Sequence, residues 1–426
     1  MRKYLEKNIS LILKIILYMN PIIDLFTSIM INYFNINITI GMVVRMLFLI
    51  FIIFYYLFIK KNVLSYKKNY LIIVALFIIL NSLVTIVIKD YNVLFFELSW
   101  IFRIFYFVIL LTLIEKKDLK IKIDDLINIV LIYLGIISVS NILNISFNSY
   151  TQGKVGSVGL FNSGNEISVI LSILNPILIY YIFNNKNNIK KIILAILMIY
   201  TYFNIGSKIV IISLILSLIY NLYLYIKLNK IKRKNIVITL LLLTLIVIFS
   251  IIIIPRTNFY YNIILHLNYL GINSINDIFS YNFLNRFIFS DRLSYLEVTN
   301  NYYVNSSLIE KLFGIGFIQN YATDYVSYKT IEMDLFDIFY RIGIIGFIIY
   351  TFSIIKEIKY NFNELNKIVK FSLVMTLLIA LLVGHTLVAP SVSIFIVYML
   401  KYNKEMNKWK TLWLSLIITI GKQQWD

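Results

Sequence analysis

Runs of about 20 apolar residues recur along nearly the whole chain, and about 20 residues of helix cross a bilayer core. Inside lipid every backbone N–H and C=O must be satisfied within the protein, which leaves few spanning forms. Apolar side chains make up 60% of 426 residues. No soluble domain needs that much apolar surface. The expected fold class is all-α: a polytopic integral membrane protein of about twelve transmembrane helices. Spans are expected near residues 8–30, 37–59, 69–88, 93–114, 124–146, 164–184, 192–205, 207–226, 236–254, 337–355, 369–387 and 388–400. No early run carries a short apolar core with a cleavage site, so the first span is expected to act as its own targeting signal. The chain has no cysteine, which excludes disulfides and thiolate metal sites.

The net charge of +19 would suggest nucleic acid in a soluble protein. Its distribution gives a different reading. Alternate loops at 1–7, 60–68, 115–123, 185–191, 227–235, 356–367 and 401–410 hold 26 Lys or Arg, against about 8 in the opposite loops. Positive residues collect on the cytoplasmic side. Both termini are then expected in the cytoplasm, with residues 255–336 outside and no nucleic-acid partner. The apolar run at 411–420 is too short to span and reads as interfacial.

Three regions follow. Residues 1–254 form an N-terminal bundle of about nine spans, 255–336 a long extracytoplasmic loop, and 337–426 the C-terminal spans and a cytoplasmic tail. No G-x-x-x-x-G-K-[ST] occurs, so the chain is not expected to carry its own ATPase. Two external segments stand out: 146–165, with its KVGSVGLFNSGNE, and the long loop. A break at 204–208 joins the seventh and eighth spans. In the loop, SDRLSYLE reads as a helix start, with Ser290 as cap and Asp291 favouring the positive end. Leu293, Leu296 and Val298 give it an apolar face. A second short helix, Leu308–Phe313, runs into Gly314 and Gly316. Such short amphipathic helices suit the outer leaflet.

Charges inside spans are costly and face a cavity or a partner. Arg45, Glu97, Arg103 and Arg341 qualify. One reading is internal pairing, for example of Glu97 with Arg103 or Arg45. The other is that arginines line a cavity for an anion, since the planar fork donates two parallel hydrogen bonds to phosphate. Lys14 lies near a span end and reads as snorkelling. Lys208 follows Gly206 and Ser207 at a helix N-terminus, where free N–H groups attract anions; an ordinary interfacial lysine is the alternative. Glu332, Asp334 and Asp337 form E-M-D-L-F-D where the loop re-enters the membrane. They read either as helix capping or as a general base of raised pKa. His385 is expected near the outer face and within reach of a cavity, whereas His266 reads as structural. No His-x-x-x-His or D-x-D-x-D-G pattern supports a metal.

Four segments taken in order resemble a family: KVGSVGLFNSGNEIS (154–168), GSKIVIIS (206–213), DRLSYLE with IEKLFGIGF (291–317) and EMDLFDIFYRIGIIG (332–346). They are similar to the O-antigen ligase and O-antigen or capsule polymerase superfamily of bacteria, the Wzy-type polymerases. The acidic E-M-D-L-F-D looks more like the polymerases, since the ligases tend to have histidine there. The resemblance implies an inverting, metal-independent glycosyltransferase without cofactor. It would join undecaprenyl-diphosphate-linked repeat units into surface polysaccharide at the outer face of the cytoplasmic membrane. Departure of the lipid diphosphate needs positive charge placed in advance. Arg45, Lys208, Arg256 and Arg292 are expected at diphosphate and sugar. Glu332, Asp334 or Asp337 are expected at the acceptor, with Lys154 and Asn165 shaping the cavity and His385 counted among the groups that bind diphosphate or glycan. Gly314, Gly316, Gly343 and Gly346 are expected to permit tight turns and close packing. Implied partners are the lipid-linked glycans, membrane lipid, a flippase and a chain-length regulator. A ligase of the same superfamily and a lipid-linked oligosaccharide flippase are the alternatives.

Overall fold

A computed structural model describes residues 2–35, 40–60, 63–148, 156–184, 188–229, 264, 267–268, 271, 280–281, 283–318 and 330–401. The expected span at 236–254, the run at 411–420, and Lys154, Arg256 and His266 lie outside the described residues. The helices are α1 (Arg2–Phe34), α2 (Ile40–Phe54), α3 (Ser65–Ile88), α4 (Leu94–Leu113), α5 (Ile123–Ile142), α6 (Gly164–Asn184), α7 (Asn188–Ile205) and α8 (Lys208–Asn229). After the long excursion come α9 (Arg292–Asn305), α10 (Leu308–Phe313), α11 (Asp334–Asn361), α12 (Lys367–Leu382) and α13 (Pro390–Lys401). Among the described residues there is no strand, only one isolated bridge between Asn148 and Ser157. The protein is an all-α polytopic membrane protein, and nine of the described helices are long and apolar enough to cross a bilayer.

The last two expected spans are corrected. In place of spans at 369–387 and 388–400 stand α12 of 16 residues and α13 of 12. Gly384 and His385 take positive φ, of 73° and 57°, and stop the helical run. At 1.5 Å rise per residue, neither helix covers a full bilayer core. The short α13 does not meet lipid. It is buried from Ser391 to Lys401, at the centre of the bundle.

The helix at the end of the excursion begins at Arg292, not at a Ser290 cap. Ser290 and Asp291 both adopt positive φ, and Asp291 makes no side-chain cap. Its inner face is Leu296, Thr299 and Tyr303, while Val298 is exposed. The short α10 matches expectation, with Ser307 and Glu310 forming a reciprocal capping box.

Gly343 has φ 67° inside α11 and kinks it. The kink frees the carbonyls of Tyr340 and Arg341, which accept from Ile315 N (3.0 Å) and Gly316 N (3.2 Å). A Cβ on Gly314 would overlap the Arg341 carbonyl. The glycines here permit backbone contact between loop and helix, as expected. The next two residues are held by Glu97. Its carboxylate accepts from Phe317 N (2.8 Å) and Ile318 N (2.9 Å) and pairs with Lys89 (2.6 Å). The expected pairing of Glu97 with Arg103 or Arg45 is thus replaced, because the loop brings backbone donors to it. Lys14 pairs with Asp125 at 2.7 Å instead of snorkelling alone.

Candidate functional site

The kinked helix and the broken α12–α13 connection meet over a cavity of about 300 Å³. Its wall includes Asp24 of α1, Arg45 of α2, Trp100 and Arg103 of α4, Glu166 of α6, and Glu332, Asp334, Asp337 and His385. The C-terminal half therefore supplies one side of the cavity and the N-terminal bundle the other.

The two aspartates of E-M-D-L-F-D are held differently from Glu332. Asp337 accepts from Ile331 N (3.0 Å) and Glu332 N (2.8 Å). Asp334 accepts from Thr386 N (2.7 Å) and Leu387 N (2.6 Å). Four backbone donors thus occupy these carboxylates. Both aspartates line the cavity, and beside the role expected of them they have a supporting one: they tie the 331–332 and 386–387 segments to the start of α11. That pinning brings Glu332 and His385 together. Their Oε2 and Nε2 lie 3.7 Å apart.

Both residues sit in the left-handed region, Glu332 at φ 60° and His385 at φ 57°. Non-glycine residues persist there only where surrounding structure over-determines them, and they cluster at functional sites. Gly384 is required between the segments, because a Cβ at its φ of 73° would overlap the Glu332 carbonyl.

Arg292 buttresses Glu332 from behind. Its Nη2 donates to Glu332 Oε2 (2.8 Å), its Nε to the Glu332 carbonyl (3.1 Å) and its Nη1 to the Phe289 carbonyl (3.3 Å). Arg292 is buried and does not line the cavity, so the expected direct anion contact becomes support for a carboxylate. Burial favours the neutral form of Glu332, but His385 and then Arg292 outweigh it and hold the carboxyl below its ordinary range. Burial likewise disfavours the imidazolium, yet the Glu332 carboxylate 3.7 Å away raises the His385 pKa above its ordinary value.

Asn165 also reaches this pair, with Nδ2 3.4 Å from His385 Nε2. Lys208 opens α8 after Gly206 at φ 67°, as expected, but is not among the cavity-lining residues. Arg45 does line the cavity. Its Nη2 donates to Asp24 Oδ1 (2.5 Å) and Asn20 Oδ1 (2.6 Å), and Asp24 also accepts from the Tyr133 hydroxyl (3.0 Å). Arg103 lies 4.6 Å over the Trp100 ring, and Trp100 stacks on Phe317 at 4.8 Å and 11°.

Sequence reasoning missed Asp24 and Glu166. Asp24 lies within the first span, and the criterion that selected Arg45 applied to it equally. Glu166 stands in the quoted GNE, beside Asn165, and accepts a hydrogen bond from the Ser391 hydroxyl. Among the described residues, no group of three or more His or carboxylate side chains is placed to hold a metal.

A pair of strained, opposed titratable groups in a cavity that arginines also line is suited to moving a proton next to an anion. The family model described as O-antigen ligase like membrane protein matches residues 6–276 and 282–403. No curated protein and no solved structure matches the chain. The family match spans most of the bundle and all of the cavity wall, and the chain belongs to the O-antigen ligase like family of membrane proteins.

Proposed function

We propose that this chain is a glycosyltransferase that polymerises undecaprenyl-diphosphate-linked repeat units into O-antigen or capsule at the outer face of the bacterial cytoplasmic membrane. The observation that carries the reading is the Glu332–His385 pair, 3.7 Å apart, on the wall of a cavity that also holds Arg45 and Arg103. Neutral His385 takes the proton of the acceptor sugar hydroxyl. The freed oxygen attacks the anomeric carbon of the donor glycan. The bond from that carbon to the diphosphate oxygen breaks, and its electron pair leaves on the lipid diphosphate. Glu332 stabilises the imidazolium formed, and the raised His385 pKa suits it to a base working near neutrality. Arg292 keeps Glu332 ionised and oriented. The arginines meet the charge that develops on the leaving diphosphate. No step calls for a metal or cofactor. In this reading Glu332 and His385 lie on the outer side, and a flippase delivers the units.

Deleting the gene tests the class. Cells left with single repeat units on the surface acceptor support a polymerase. Full-length chains that stay unattached point to the ligase reading. Units retained at the inner leaflet point to a flippase, and unchanged long surface glycan removes all three.

A further inference from the structure

We propose that Glu166 reads the hydroxyl groups of the sugar seated beside His385, which makes it a specificity-determining residue of the cavity. A carboxylate within a membrane span is costly and faces a cavity or a partner. Glu166 stands in the first turn of α6, where the positive helix end favours an acid. Its N–H donates to the Ser163 hydroxyl at 3.4 Å, and its half-buried side chain lines the cavity. The arginines that share the cavity are engaged elsewhere: Arg45 pairs with Asp24 at 2.5 Å, and Arg103 stacks on Trp100.

Among the described residues, the side chain of Glu166 accepts from one donor, the Ser391 hydroxyl. An ionised carboxylate has about four acceptor sites. Ser391 is buried in the first turn of α13, so this bond joins two helix starts and orients the carboxylate. An aliphatic O–H on Glu166 is also the contact that a sugar hydroxyl would make. Hydrogen bonds from hydroxyl to carboxylate are about twice as strong as neutral ones. A carboxylate repels a diphosphate, and neighbouring arginines repel an ammonium group. A neutral, hydroxyl-bearing group suits both.

The neighbours of Glu166 place it beside the transfer point. Asn165 has Nδ2 3.4 Å from His385 Nε2, and the charge of Glu166 acts on His385 as well as on Arg45 and Arg103. Asn162 and Ser163 add polar groups to the same stretch of wall. The inference rests on the reading of the cavity as a site of glycan transfer, in which the sugar at His385 is the acceptor, and it names the residue that selects that sugar.

The test uses the purified full-length protein in detergent and two probes: undecaprenyl diphosphate carrying the cells' own repeat unit, and bare undecaprenyl diphosphate. The ratio of the two affinities isolates what the sugar contributes. Wild type should prefer the glycan-bearing probe, and E166Q should lower that preference by about 10- to 100-fold. Its affinity for the bare probe should hold or rise, because a like charge leaves the cavity. Ser391 is a positioning residue. S391A should lower the preference by about 2- to 10-fold, and S391T, which restores the hydroxyl, should recover it.

An unchanged preference in E166Q would overturn the proposal, as would a wild type that binds both probes alike. So would an equal loss for the two probes, which would make Glu166 a support of the wall. If E166Q does not fold, S391A decides: a preference lowered in S391A and recovered in S391T supports the subsite, and one unchanged in S391A overturns it. A preference lost in E166Q, where wild type yields no polymer, retires the polymerase reading and keeps the subsite. Polymer from wild type with the preference intact in E166Q does the reverse.

Discussion

The two ends of the bundle handle buried charge in opposite ways. At one end, where α2, α4, α11 and α13 finish, lysines and carboxylates match. Lys60 pairs with Glu115 (2.8 Å) and Asp118, Lys67 with Glu115 (3.4 Å), and Lys401 with Glu357 (2.5 Å). Tyrosines fill in: Tyr56 donates to Asp118 and Tyr66 to Glu357. At the cavity end, Arg103 stacks on a ring, Arg45 Nε has no hydrogen-bond partner among the described residues, and Glu332 and His385 are held at positive φ. The first end is closed and relaxed, as a structural staple should be. The second is strained and opens on a cavity.

That contrast can be broken most sharply by rate. His385→Ala should reduce polymerisation by about 10²- to 10⁴-fold with little change in melting temperature, measured with purified protein. Glu357→Ala should do the opposite. It strands buried Lys401 without its partner, a loss of about 3–5 kcal/mol in stability, with turnover per folded molecule unchanged. A Glu357→Ala protein of normal stability would show that the staple contributes nothing. Between these lies Gly384→Ala, which is strained at φ 73° and drives a methyl into the Glu332 carbonyl. It should cost about 1–3 kcal/mol and lower activity by displacing the Glu332–His385 pair.

The smallest effect is one of pH. His385 titrates above its ordinary value, so activity that needs neutral imidazole should rise with pH through that raised value. Glu332→Gln removes the raising charge and leaves burial, which lowers, so the rising limb should move to lower pH. The same linkage has a stability side. The ion pair contributes fully where Glu332 is ionised and the unfolded histidine is still protonated, below about pH 6.5. It fades as pH rises through the folded His385 value. A limb that does not move in Glu332→Gln would disconnect the pair.

Much of this arrangement was legible in the sequence, and the limits are instructive. Apolar runs located α1 to α8 and α11, because a bilayer imposes length and hydropathy directly. The glycines at 206, 314, 316 and 343 were legible as turns, because positive φ or close backbone approach demands them. Residues 384 and 385 were not, and their break turned two expected spans into shorter helices around a cavity wall. Within the site, residue type identified Arg45, Glu332, Asn165 and His385. It did not show that Asp334 and Asp337 are spent on backbone donors, two of which lie more than 50 residues away. Nor did it show that Arg292 faces a carboxylate 40 residues on, or that Arg103 stacks on Trp100. Those facts depend on which partners the fold delivers, and spacing along the chain carries no record of them.

The central claim is that the strained pair at the cavity, and not the staple at the other end, performs glycan transfer. It is tested most directly by reconstituting the wild-type, His385→Ala and Glu357→Ala proteins in liposomes with an undecaprenyl-diphosphate-linked repeat unit and resolving the glycan products by size. A ladder from wild type and from folded Glu357→Ala, with unpolymerised units from His385→Ala, is the expected result. An equal ladder from His385→Ala would contradict it.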